Sequence, residues 1–239
     1  MSIAEKLSVI AENQEKIFDA GKKSEYDSFW GSYQHEGKGA VWYNYAFAGK
    51  RWNEKTFRPK YDLVASGCAY MFSDSSIKNL KQLLSQRGLR LDTSKATSVA
   101  YMFSNSLTAE IGVLDMTSAT ALTGLFYGAD VVTIDKLILN AGGTNTFTNA
   151  FFEAKYLENI TVEGIVGNPL DMHWSTKLGK ESIENLFSHL SGEKGATLTL
   201  SLDAVDSAFQ SEDGACDGSD TAEWQALVEA HAGWTVSLL

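Results

Sequence analysis

Asp92 and Asp115 are the first residues in this chain whose type and spacing could do chemistry. They stand in matching contexts, LRLDTSKAT and GVLDMTSAT, 23 residues apart. Two carboxylates brought close together could hold a cation or work as an acid/base pair. The same Asp-x-Ser/Thr pattern is also the one in which a carboxylate closes the turn after a strand, and that is the reading we favour. The four histidines, His35, His173, His189 and His231, lie in unrelated contexts. His189 and His231 fall late in expected helices, where an imidazole suits the carboxyl end of the helix. The stretch SEDGACDGSD (211–220) is rich in carboxylates but lacks the D-x-[DN]-x-[DN]-G order of a calcium loop, so we read it as a solvated acidic loop. Neither a nucleophile elbow, a glycine-rich nucleotide loop nor a paired-histidine zinc motif occurs. The expectation is a non-enzymatic protein with no catalytic, cofactor or metal residues. Cys68 and Cys216 form no CxxC pair; Cys68 is expected to pack as a small hydrophobe, and pairing between the two stays open.

The elements that would hold these residues come from a repeat. AYMFSDSS (69–76) returns as AYMFSNSL (100–107), and self-similarity at such a period marks stacked coils. Segments 89–111 and 112–134 align without gaps: Leu91 with Leu114, Asp92 with Asp115, Ala96 with Ala119, Phe103 with Phe126. A third unit, 135–160, follows with an insertion around Gly142 and Gly143, and a further strand is expected at 160–166. Each unit reads as a short strand, a Thr/Ser/Ala turn and a short helical stretch that turns Met102 and Phe103, or Leu125 and Phe126, inward. No single unit can bury its apolar side alone, but a stack can. The expected repeat core is Phe72, Leu91, Phe103, Leu114, Phe126, Leu137 and Phe152. After the first AYMF, Ile77, Leu80, Leu83 and Leu84 have helical spacing and Gly88 supplies a stop. This extra helix accounts for an interval of 31 residues, rather than 23, between the twin peptides.

The two ends do not show the repeat. Residues 1–30 read as a helix whose Ile3, Leu7, Ile10, Gln14 and Ile17 form a heptad seam, a possible site of homo-oligomerisation. Residues 29–63 are dense in aromatics, among them Trp30, Tyr33, Trp42, Tyr43, Tyr45, Phe47, Trp52 and Phe57. A strand or hairpin capping the first coil is the favoured reading over a ligand platform. Toward the carboxyl end, a helix over 177–192, a strand over 197–202, a helix over 220–233 with Asp220 as N-cap and a strand over 234–239 make a closing strand–helix–strand unit. The expected organisation is residues 1–60 as helix and aromatic cap, 61–170 as the solenoid and 171–239 as the C-terminal cap. The fold class is α/β, a solenoid with parallel strands. Asn159-Ile160-Thr161 spells a glycosylation sequon inside an expected strand.

Composition narrows the partners. The net charge is −10, with ten Lys/Arg against eight Asp/Glu in residues 1–60 and ten against twenty-two in 61–239. An acidic body repels phosphate backbones, so nucleic acid is not an expected partner. No segment has the length and apolarity of a membrane span, and the N-terminus lacks the apolar core of a signal peptide, so the expectation is synthesis in a cytoplasm.

The MF and LDxS/T arrangement of AYMFSNSL and LDMTSATAL resembles the atypical leucine-rich repeats of BspA-like bacterial surface proteins, over about residues 65–166. The flanks IAENQEKIFDAGKKSEYDSFW, YNYAFAGKRWNEKTFRPKYDL, KESIENLFSHLS, GATLTLSL and WTVSLL resemble leucine-rich-repeat proteins encoded by gut bacteria and their phages or prophages. The resemblance implies a leucine-rich-repeat-like solenoid and a tail- or baseplate-associated virion protein whose partners are other virion proteins or a host-surface receptor. A surface adhesin-like binding module is the alternative. The missing signal segment favours the virion.

Overall fold

Parallel pairing between successive short strands defines the architecture of this protein. The computed structural model describes residues 39–191, 195–211 and 217–239. The expected N-terminal helix, its seam (Ile3, Leu7, Ile10, Gln14, Ile17), Trp30, Tyr33, His35, Cys216 and part of the acidic loop lie outside the described residues.

Among the described residues, nine strands are arranged in three three-stranded parallel sheets that build a β-solenoid of about six turns. The first sheet contains β1 (Val41–Trp42), β2 (Leu63–Gly67) and β3 (Leu91–Asp92); the second contains β4 (Glu110–Asp115), β5 (Thr133–Ile138) and β6 (Asn159–Glu163). The third holds β7 (Leu170–Met172), β8 (Thr197–Leu200) and β9 (Thr235–Leu238). Among the described residues the coils are interrupted by the short α-helices α1 (Leu80–Ser85), α2 (Lys180–Ser188), α3 (Leu202–Phe209) and α4 (Ala222–Glu229). The period read from the sequence reappears as strand register. Ile111 pairs with Ile134, Leu114 with Leu137 and Ile134 with Ile160. Leu63 pairs with Leu91, and Leu170 with Leu198. Like side chains therefore stack on like, which keeps the interior apolar along its length.

Several expectations are corrected. The MF segment is not helical. It is a run of overlapping turns, with Met102 N–H donating to Val99 O and Ser104 N–H to Tyr101 O. Alternate amides leave the coil altogether and bond to the next one: Phe47 to Met71 O, Phe72 to Met102 O, Phe103 to Leu125 O and Phe126 to Ala150 O, at 2.8–2.9 Å. This second ladder satisfies backbone groups that a helix would have satisfied internally. In the aromatic stretch around Trp42 the expected strand forms, as β1, and not a hairpin. Val41 and Trp42 pair in parallel with β2, and Phe47 stacks on Phe72, so these residues form a coil of the same kind as those that follow. After β8 the chain enters α3, an element the sequence reading left out; Ser201 Oγ caps it by accepting from Ala204 N–H. The N-cap of α4 is Thr221, which accepts from Trp224 N–H, and not Asp220.

Candidate binding surface

Two aromatic columns run along the coils. The inner column is Phe47, Phe72, Phe103, Phe126 and Phe151, with successive ring centroids 5.3–5.7 Å apart. All five are buried. Phe152, expected in this core, is half-buried and lies outside the column; Phe151 takes the inner place. The residues between Leu137 and Phe151 include the Gly142–Gly143 insertion, which displaces the strict count. Leu114 and Leu137 are buried, while Leu91 is half-buried at the edge of β3.

The outer column is Tyr45, Tyr70, Tyr101, Tyr127, Phe152 and Trp174. Centroid separations along it are 4.7, 5.1, 6.3, 4.8 and 5.3 Å. Tyr45 is 61% exposed and the other five are half-buried. Lys155 Nζ lies 5.4 Å from the Trp174 ring at the far end. Tyr45, Tyr70 and Tyr101 carry φ of 59°, 55° and 54°. A bulky residue in this left-handed region is strained. The matching place is filled by Gly124 and then Asn149 in the next two coils, residues that adopt the region cheaply. The break in the tyrosine series has a steric cause, because a Cβ on Gly124 would stand 2.3 Å from the Tyr101 ring. Tyr101 thus lies over Gly124, and the column continues through Tyr127. Four residues after the tyrosines, Asp74 and Asn105 add a polar row, with Asn105 Nδ2 donating to Asp74 Oδ1 at 3.3 Å. The column and this row together are the candidate recognition surface. No single motif signals it; the recurrence of Tyr-x-Phe at 45–47, 70–72 and 101–103 was the available clue.

The carboxylates flagged in the sequence are engaged locally. Asp92 Oδ1 accepts from Ser94 N–H and Ser94 Oγ–H at 3.1 and 2.6 Å, and Asp115 Oδ1 accepts from Thr117 N–H and Oγ1–H at 3.0 and 2.6 Å. Asn140 does the same for Gly142 N–H, and Asp171 for His173. The Ser94 hydroxyl, helped by its amide and by Arg90 and Lys95, holds the Asp92 carboxyl below its ordinary pKa despite partial burial. These are turn closures after strands. His189 and His231 donate Nδ1–H to backbone carbonyls at helix ends, Asn185 O at 2.8 Å and Leu227 O at 2.9 Å. Cys68 is a free, buried thiol whose pKa burial pushes up to about 12, so it stays protonated and inert. Among the described residues no three His, Cys, Asp or Glu side chains gather as metal ligands, and no helix is long and apolar enough to cross a membrane. No family model matches the chain, and no curated protein and no solved structure matches it.

Proposed function

We propose that this chain is a non-enzymatic binding protein of a phage or prophage, tail- or baseplate-associated, with leucine-rich-repeat-like coils of the BspA-like kind. The outer aromatic edge of the solenoid recognises a protein or cell-surface ligand. One observation carries this reading: three tyrosines hold left-handed backbone positions that glycine and asparagine fill in the neighbouring coils. A turn alone would be cheaper with glycine, so the rings contribute more than turn geometry. They supply aromatic edges and hydroxyls along one side, beside the Asp74–Asn105 row, a mixture suited to recognition. The virion setting rests on the sequence resemblance, and the heptad seam at Ile3, Leu7, Ile10, Gln14 and Ile17 would join copies or dock them to a neighbour.

The test is immunogold labelling of material released by an induced strain that encodes the chain. Label on the tail or baseplate of particles is the expected result. Label confined to the bacterial envelope would replace the virion reading with the adhesin-like one. Label on neither would overturn both.

A further inference from the structure

The coil that contains α1 is the irregular one. Phe72 to Phe103 spans 31 residues, against 23 from Phe103 to Phe126. The eight extra residues form α1 and its turn. A complete C-terminal cap fixes that turn: Gly88 has φ +65°, Gly88 N–H donates to Ser85 O, and Leu89 N–H donates to Leu84 O. β3 and β4 belong to separate sheets, and the step between them is bridged by Asp115 N–H donating to the Thr93 hydroxyl at 2.9 Å. Between α1 and β4 lies an open cavity of about 470 Å³.

Its apolar lining includes Leu84, Leu89, Leu91, Ile111, Val113 and Ile138. Val113 is 49% exposed there, unusual for a valine inside a solenoid strand. The charged lining is Lys81, Arg90, Asp92 and Asp115. Both cations are already neutralised, Lys81 by Asp135 at 2.8 Å and Arg90 by Asp62 at 3.1 Å. Among the described residues neither carboxylate has such a partner, although the charges of Arg90 and Lys95 act on Asp92 from beyond ion-pair distance. Each receives its turn-closing hydrogen bonds on Oδ1, and among the described residues neither forms an ion pair. The size falls in the range of small-molecule sites, and an insertion within one repeat commonly marks a binding face.

We propose that this cavity is a ligand site for a small aliphatic molecule ending in a cation, an alkylammonium in chemical class. The alkyl body occupies the space between α1 and β4, and the ammonium donates to the carboxylates of Asp92 and Asp115. An alkyl carboxylate of equal length would meet those two charges unfavourably.

Calorimetric titration of the full chain with octylammonium, octanol and octanoate tests this. The expected result is saturable binding of octylammonium, roughly fivefold tighter than octanol or better, with octanoate weakest. The double variant Asp92→Asn, Asp115→Asn keeps the turns closed, as Asn140 does for Gly142, and should abolish the preference for the ammonium without changing octanol affinity. Val113→Trp fills the cavity and should block all three probes. Should that variant unfold, methyl shifts of Ile111 and Ile138 in the unaltered chain report occupancy directly. Equal affinity for the three probes, no saturation, or a preference that survives the double Asn variant would overturn the proposal.

Discussion

At the scale of single residues, the two aromatic columns make different contributions. Phe103 is fully buried between Phe72 and Phe126. Its truncation opens a cavity that neighbouring coils cannot close, because their spacing is set by two hydrogen-bond ladders. We expect Phe103→Ala to cost about 3–5 kcal/mol. Phe152→Ala, in the half-buried outer column, should cost about 1–2 kcal/mol. Urea denaturation of both variants measures the contrast, and equal losses would contradict the inner and outer assignment. Asp92 offers a pH test. Its folded pKa is depressed, chiefly by the Ser94 hydroxyl, so the stability it contributes is present above its unfolded pKa of 3.8 and is lost as pH falls through the lower folded value. Asp92→Asn removes that titration but keeps the turn. The midpoint difference between the two proteins should be largest near neutrality and close below about pH 4. A gap that stays constant down to pH 2 would show that the charge has no part in it.

Elements were legible in the sequence wherever packing repeats. The period of Phe103 and Phe126 and the pairing of Leu114 with Leu137 come directly from the need to stack like residues on like. The helix after Phe72 was readable in part: Leu80, Leu83 and Leu84 lie on it and Gly88 closes its turn, but it spans only Leu80–Ser85 and buried Ile77 stands before it. What sequence alone hid has physical causes too. Overlapping turns and a helical turn place apolar residues at similar intervals, so the MF segment looked helical, although its amides bond to the next coil. The first coil was concealed by tryptophans and tyrosines that read as a cap, yet Tyr45 and Phe47 stand where Tyr70 and Phe72 stand one coil later. Helix α3 was hidden because TLTLSL continues an alternating pattern into its own N-cap, Ser201. The outer column belongs to this scale, since it exists only through the stacking of turns. Gly124→Ala probes it: the new Cβ would collide with the Tyr101 ring and sit at φ +58°. A loss of about 1–3 kcal/mol is expected from the backbone term. Combining it with Tyr101→Ala should recover the part due to the collision, as a double-mutant cycle would show. Strict additivity would mean that the ring does not press on Gly124.

For the whole molecule, a solenoid separates stability from recognition. The interior is fixed by the Phe column and the paired strands, while the outer edge can carry rings and polar groups that no coil requires for closure. Self-assembly through the proposed heptad seam would be a property of the whole molecule as well. Light scattering on the full chain should give a closed oligomer, and Leu7→Asp should give a monomer with an unchanged melting curve; a monomeric unaltered chain would remove self-assembly from the account. The central claim is that the outer edge recognises a surface ligand. It is tested most directly by flow cytometry of the labelled full chain on a panel of intact gut bacteria, beside the variants Tyr45→Ser and Tyr127→Ser. Saturable binding to a subset of strains is expected, with at least a tenfold loss of affinity in each variant and stability kept within about 2 kcal/mol. Binding to no strain, or variants that bind as tightly as the unaltered chain, would contradict it.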